Sequence, residues 1–229
     1  MFDAIAARYD VLNHLLSAGI DRYWRQRAID SLALRGTERL LDVCTGTADL
    51  AIAARLARPW PARHVVGLDF AAAMLEVARL KIGRRRLANA VSLVRSDAAR
   101  LPLADRSVDA VTVGFGIRNV ERPEAACDEM HRVLVPGGRL AILEFAVPTW
   151  RLVRAPYLWY FNHILPRIGR VVSRHSGAYG YLSASVNAFI LPGEFAAMLR
   201  SSGFTDVAAH SLTFGIVFLY TGRRPPSDG

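Results

Sequence analysis

Two carboxylates and a short bend carry the first chemistry legible in this chain. The apolar run Leu40-Leu41-Asp42-Val43-Cys44 ends in Thr45-Gly46-Thr47-Ala48-Asp49, and the run from Val65 ends in a second acid, Asp69. An acid at that place can accept both ribose hydroxyls of an adenosine, because a carboxylate offers two acceptor oxygens. Two cofactor classes share this geometry. A nicotinamide dinucleotide needs a glycine-rich turn so that the backbone can approach a pyrophosphate. Here Gly46 is the one glycine of the bend and Ala48 fills the second slot. S-adenosylmethionine carries no phosphate; its amino group and sulfonium are positive, and Asp42 and Asp49 offer negative charge nearby. The bend alone reads equally well as a plain strand-to-helix turn; bend, Asp42 and Asp69 together favour S-adenosylmethionine. Further on, Ser96-Asp97-Ala98 follows a third apolar run. Asp97 there can accept the adenine amino group, with a solvated loop acid as the alternative.

These residues need a scaffold that brings several strand ends together. The spacing predicts strands at Leu40–Cys44, Val65–Asp69, Val91–Val94, Val108–Val113 and Arg139–Phe145. Between them it predicts helices over Leu50–Ala57, with Asp49 as a cap, over Met74–Ile82 and over Pro123–Leu134. Pro136-Gly137-Gly138 reads as a sharp turn. Phe2–Leu34 has helical spacing, ending near Gly36. A last helix, Pro192–Ser202, precedes two runs, Val207–Thr213 and Ile216–Thr221, joined at Gly215 as an antiparallel edge hairpin. The expected fold class is α/β: a Rossmann-like, mostly parallel seven-stranded sheet with helices on both faces. In such sheets ligands sit at the carboxyl ends of the strands, where the strand order reverses.

The chain has 229 residues and a net charge of +9, with one lysine, Lys81, among arginines. That size suits one domain. It divides into an N-terminal helical cap (1–36), a cofactor-binding core (37–145), a basic aromatic insertion (146–192) and a C-terminal helix with hairpin (193–224). No run approaches the length of a membrane span, and Met1–Asp10 has no apolar leader. Two isolated cysteines, Cys44 and Cys127, suggest buried free thiols and neither a disulfide nor a metal site. From Phe145 to Gly193 there is no acid, while Arg151, Arg154, Arg167, Arg170 and Arg174 interleave with aromatic residues. Three readings fit: contact with an anionic membrane surface, a substrate-binding lid with solvated arginines, or binding of single-stranded RNA.

Two longer motifs are more specific. Gly114-Phe115-Gly116-Ile117-Arg118-Asn119-Val120 is one; the other is the opening Phe2-Asp3, Arg8-Tyr9-Asp10, Asn13, Leu15-Leu16-Ser17, Gly19-Ile20 with Trp24. With Leu41–Leu50 they resemble the ubiquinone/menaquinone biosynthesis C-methyltransferases, and the similarity runs from Phe2 to about Tyr220. The resemblance implies the class I methyltransferase fold and methylation of a ring carbon of a prenylated quinol, demethylmenaquinol or a 2-methoxy-6-polyprenyl-benzoquinol. S-adenosyl-L-homocysteine is then the product, and no metal is needed. Thr47, Asp69, Asp97 with Ala98, and Gly114 would contact the cofactor; Asp42, Gly46 and Phe70 complete the expected cofactor set. Three departures stand out. Ala48 replaces a usual glycine, Gly114 replaces a common serine, and Tyr179–Ser185 lacks the arginine of a similar segment.

Methylation at carbon requires the quinol to lose a hydroxyl proton, since a phenolate pushes charge into the ring. That asks for a general base and a donor to the developing anion. Arg118 is expected to stabilise the phenolate and Asn119 to orient the quinol oxygen, with a structural ion pair as the alternative for Arg118. Tyr9 is a third candidate, balanced against a core role. His14, His163 and His175 are bases by chemistry alone. The expected partners are the membrane-borne quinol and an anionic membrane surface through 146–192, with a homodimer carried as an assembly and no nucleic acid expected. The expected location is cytoplasmic, peripheral on the inner face of the plasma membrane. Methyl transfer to another phenol, a sterol or RNA, and a non-catalytic module on the same fold, are the competing functions.

Overall fold

The computed structural model describes residues 17, 19–148, 150–159, 185–186 and 189–227. Its described elements are α1 (Asp21–Ser31), β1 (Arg39–Val43), α2 (Asp49–Arg55), β2 (His64–Asp69), α3 (Ala72–Arg84), β3 (Val91–Arg95) and β4 (Val108–Gly114). There follow a 3-10 turn (Ile117–Asn119), α4 (Pro123–Val133), β5 (Leu134–Phe145), α5 (Arg151–Trp159), α6 (Pro192–Ser201), β6 (Thr205–Leu212) and β7 (Val217–Arg223). The seven strands form one sheet in the order β3-β2-β1-β4-β5-β7-β6. β1 to β5 pair in parallel, and β7 runs antiparallel to both β5 and β6. The order reverses beside β1, whose two neighbours are β2 and β4.

Successive residues of a strand face opposite sides, so a sheet covered on both faces needs apolar residues at every position. Leu40, Ala110 and Leu143 belong to a core under α1, α2 and α3, with Trp24, Ala28, Leu50, Ala54 and Ala78. Leu41, Val111 and Ile142 belong to the opposite core, with Cys127 and Met130 of α4 and Phe195 and Leu199 of α6. The strands are therefore near-continuous apolar runs, and two of the buried polar exceptions, Asp42 and Thr112, meet each other.

Three local expectations change. α1 ends at Ser31, and Ala33 already has a φ of 44°, so Gly36 belongs to the following turn. There the buried Glu38 carboxylate accepts the N–H groups of Arg35, Gly36 and Thr37. The residue before α2 is Ala48 and makes no side-chain cap, while Asp49 lies inside the helix. Pro136-Gly137-Gly138 does not break the strand. β5 continues through it with a shift in pairing, from Val108 opposite Leu134 to Ala110 opposite Arg139. The extra residues stay in the sheet because Gly137 donates to the Arg224 carbonyl and Arg224 donates to that of Gly138.

Candidate active site

A cavity of about 360 Å³ opens at the carboxyl ends of β1, β2 and β4. Two bends form its floor. The first follows β1. Asp42, almost wholly buried, accepts hydrogen bonds from the Thr45 hydroxyl at 2.5 Å and the Thr112 hydroxyl at 2.7 Å. Burial is the largest influence on its carboxyl and pushes the pKa up to about 6 against those hydrogen bonds. The bend passes through left-handed backbone at Cys44, Gly46 and Ala48, with φ of 53°, 53° and 66°. Gly46 takes that conformation freely, whereas Cys44 and Ala48 take it against the clash of Cβ with the backbone. Asp69 holds the bend across to β2: its carboxylate accepts the Gly46 N–H at 2.8 Å and the Ala71 N–H at 2.9 Å.

The second bend follows β4. Phe115 is left-handed at φ 58°, a genuine outlier for a bulky side chain. Its N–H donates to the Leu143 carbonyl at 2.8 Å, and its own carbonyl accepts from Arg118 Nη1 at 2.6 Å. Gly116 presses on Cys44 of the first bend, and a Cβ there would collide with the Cys44 Cβ. Close approach, with no need of positive φ, requires this glycine.

The structure gathers the expected cofactor residues: Asp42, Gly46, Thr47, Asp69, Phe70, Asp97, Ala98 and Gly114 all line the cavity. Phe70 is exposed with the Arg95 guanidinium 5.7 Å from its ring centre. Asp97 accepts the Ala99 N–H at 2.9 Å. The 3-10 turn advances about three residues per turn and sends its three side chains three ways. Ile117 is buried in the core, Asn119 lines the cavity, and Arg118 turns to Glu144. The Arg118–Glu144 pair is buried, with Nη1 2.5 Å from Oε1, and Arg118 Nε donates to the Ser185 hydroxyl at 3.3 Å. Arg118 is thus not among the cavity-lining residues and has the ion pair that was its alternative. Tyr9 and the three candidate histidines lie outside the described residues, as does Tyr179–Ala184 of the Tyr179–Ser185 segment.

Four functional candidates were not read from sequence. Lys81 Nζ reaches Asp49 at 2.5 Å and the Thr47 hydroxyl at 3.2 Å. Arg25 lines the cavity between Asp21, at 2.5 Å, and Asp49, at 3.3 Å. Glu144 and Phe115 are the others. Lys81 had a signal in being the one lysine of an arginine-rich chain, and Glu144 in being an acid inside an apolar strand. Of the two thiols, Cys44 lines the cavity half-buried and Cys127 lies in the core; burial raises both, Cys127 to about 12.

The sheet order, the lone β7 reversal and a cavity of this lining define the fold of class I S-adenosylmethionine-dependent methyltransferases. Solved structures share it at low identity. A Haloferax volcanii putative methyltransferase complexed with the Trm112 activator gives a TM-score of 0.69 at 18% identity over 98% of both chains. A SAM-dependent methyltransferase from Aquifex aeolicus gives 0.62 at 17% over 87% of this chain and 88% of that one. The model of the ubiE/COQ5 methyltransferase family matches residues 1–224, and the chain belongs to that family. It is 46% identical to a ubiquinone/menaquinone biosynthesis C-methyltransferase of Syntrophotalea carbinolica, over 100% of this chain and 94% of the relative. It is 45% identical to a demethylmenaquinone methyltransferase of Thermus thermophilus, over 98% of this chain and 100% of that one. The chain is accordingly a SAM-dependent methyltransferase.

Proposed function

We propose that this enzyme transfers a methyl group from S-adenosylmethionine to a ring carbon of a prenylated quinol, demethylmenaquinol or a 2-methoxy-6-polyprenyl-benzoquinol, in menaquinone or ubiquinone biosynthesis. One observation carries the cofactor assignment. Among the described residues the cavity is lined by Asp42, Asp49, Asp69, Asp97 and Glu121 against a single cation, Arg25. Such a lining attracts a sulfonium and opposes a pyrophosphate. The names of the relatives support the acceptor.

Bound S-adenosylmethionine supplies an electrophilic methyl group whose departure leaves a neutral sulfide. Asp69 holds the ribose hydroxyls; each carboxylate oxygen can accept two hydrogen bonds, so ribose and the Gly46 bend share it. Asp97 and Ala98 meet the edge of the adenine and Phe70 its face. Asp42 and Asp49 set negative charge beside the positive end, with Gly46, Thr47 and Gly114 forming the walls. Arg25 takes the carboxylate, held in place by Asp21 and Asp49. On the acceptor side, Asn119 orients the quinol oxygen, and Tyr9 is carried as a candidate on the sequence alone.

The acceptor enters from an apolar rim. Trp150, Leu152 and Trp159 around α5 are exposed, with Arg154 among them. Phe214, between β6 and β7, is 72% exposed, and its neighbour Gly215 faces Pro148. The Trp24 indole N–H donates to Thr213 at 2.7 Å, and Trp24 meets Phe115 and Phe145 edge to face. A run of packed contacts thus links Thr213, beside Phe214, through Trp24 to Phe115 at the cavity. No described helix is long and apolar enough to cross a membrane; the rim with its arginines is proposed to rest on an anionic bilayer, at the inner face of the plasma membrane. The single-domain division at 36, 145 and 192 goes with this reading.

Transfer of labelled methyl from S-adenosylmethionine to a panel of quinols under reducing conditions tests the function. Methylated demethylmenaquinol or benzoquinol is the expected product. A purified enzyme that takes up neither S-adenosylmethionine nor S-adenosylhomocysteine by calorimetry, yet binds NADH, overturns the assignment. Co-sedimentation with anionic liposomes, reduced for Trp150→Ala and Phe214→Ala, tests the rim.

A further inference from the structure

We infer that Phe115 is the platform on which the acceptor ring stacks, and that Arg118 is a positioning residue acting through Phe115. The inference rests on the quinol reading above and assigns the acceptor's contact within it.

The backbone of Phe115 is in a conformation that bulky residues avoid, and strain of this kind persists only where the surroundings over-determine it. Here they do. The N–H is fixed by Leu143 and the carbonyl by Arg118 Nη1. Arg118 is itself fixed by Glu144, which is fully buried and whose Oε1 also accepts the Phe145 N–H at 2.8 Å. The next residue, Gly116, is wedged against Cys44. Phe115 so placed is one of the residues lining the cavity; its ring stacks on Phe145, with ring centres 4.5 Å apart, and meets Trp24 edge-on at 5.9 Å. The Arg118 guanidinium carbon lies 5.4 Å from the Phe145 ring centre. One guanidinium therefore fixes the Phe115 carbonyl and lies against the ring that backs Phe115.

A flat aromatic acceptor gains from such a surface, since ring pairs prefer offset or edge-to-face contact and position one another. The acids that would face the cofactor's sulfonium line the same cavity. A platform at the end of β4 orients the acceptor ring beside the sulfonium, and orientation is where much of the rate of a two-substrate transfer originates.

Steady-state kinetics with a short-tailed demethylmenaquinol separate this role from others. Phe115→Leu keeps an apolar side chain and removes the aromatic face. It should raise the acceptor KM about tenfold while the S-adenosylmethionine KM and S-adenosylhomocysteine affinity stay within twofold. Phe115→Tyr should restore the acceptor KM. Arg118→Lys should give a similar rise with an unshifted pH–rate profile, and Phe115→Leu/Arg118→Lys should be no worse than the poorer single variant, because residues acting through one another do not add. Multiplying defects, or a pH profile displaced by Arg118→Lys alone, would show Arg118 acting on the acceptor itself and overturn its positioning role. An active wild type with an unchanged acceptor KM in Phe115→Leu overturns the platform alone. A wild type that methylates no quinol overturns the substrate reading and the platform with it.

Discussion

The two bends that meet at Cys44 and Gly116 solve the same problem with opposite materials. Both turn the chain through left-handed backbone at residues other than glycine, and both end at the cavity. The first is tied by Asp69, a half-buried carboxylate that accepts backbone N–H groups and can share its oxygens with a ligand. The second is tied by a charged pair removed from water, Arg118 with Glu144. A shared carboxylate tolerates loss of one partner, because others or water replace it. A buried pair does not, because either half left alone is an uncompensated charge. The cofactor bend should therefore be adaptable and the acceptor bend brittle.

Glu144→Leu is the harshest test of that contrast. It leaves the Arg118 guanidinium buried without its carboxylate and should cost about 3–5 kcal/mol, lowering Tm by roughly 6–20 °C for a domain of this size. Arg118→Met/Glu144→Leu should recover most of that stability, since an apolar pair of similar volume is often neutral. It should not recover the acceptor KM. A single variant as stable as the wild type would make the second bend no more brittle than the first.

Under the first bend the telling group is Asp42, whose charge is buried with no cation beside it among the described residues. Its folded pKa of about 6 lies above the ordinary 3.8, so the folded chain holds that proton more tightly than the unfolded one. The stabilisation is complete below about pH 4 and lost as the pH rises through about 6. Asp42→Asn has no such loss. Its stability relative to the wild type should improve from pH 4 to pH 7 by on the order of 3 kcal/mol, read from denaturant midpoints at each pH. An unchanging difference would place the Asp42 charge in water. Because S-adenosylhomocysteine lacks the sulfonium charge, its affinity should fall less than that of S-adenosylmethionine in this variant.

Arg25→Gln sharpens the comparison at the ligand. It should weaken S-adenosylhomocysteine about tenfold, or about 1.4 kcal/mol, and leave methylthioadenosine, which has no amino-acid end, unchanged in calorimetry. Equal losses for both ligands would mean that Arg25 only braces α1 against Asp49.

The two bends also differ in what their residues disclose before folding. Asp42, Gly46, Asp69 and Asp97 sit where apolar runs end, so their place at the strand ends follows from the strands. Phe70 and Ala98 adjoin two of them. Lys81, Arg25 and Glu144 depend on juxtaposition. Lys81 lies within a helix, 32 residues from Asp49, and its position shows only amphipathic spacing. Arg118 and Glu144 are 26 residues apart and meet because β4 and β5 are neighbours in the sheet. The motif around Arg118 marked the segment as functional, but not which way a three-residue turn aims each side chain. The Pro136-Gly137-Gly138 reading went astray for a related reason: glycine marks a backbone able to turn, while the bonds to Arg224 decide whether it leaves the sheet.

Ala48 offers the finest test, because its effects nearly cancel. At φ 66° alanine carries about 1–2 kcal/mol of left-handed strain, which glycine would release. Against that, glycine costs about 0.4–1 kcal/mol through the freedom of the unfolded chain. Its missing methyl, fully buried here, forfeits about 0.8 kcal/mol more. Ala48→Gly should thus lie within about 1 kcal/mol of the wild type and shift Tm by no more than about 4 °C. Ala48→Val, β-branched at the same φ, should be distinctly less stable. Cofactor affinity should survive Ala48→Gly, because Asp69 holds the bend through Gly46 and not through Ala48. At Phe115 the same change to glycine also releases strain, yet it removes the ring from the cavity, so acceptor binding should fail there. Equal tolerance at both positions would mean that the strain at Phe115 serves no more purpose than the strain at Ala48.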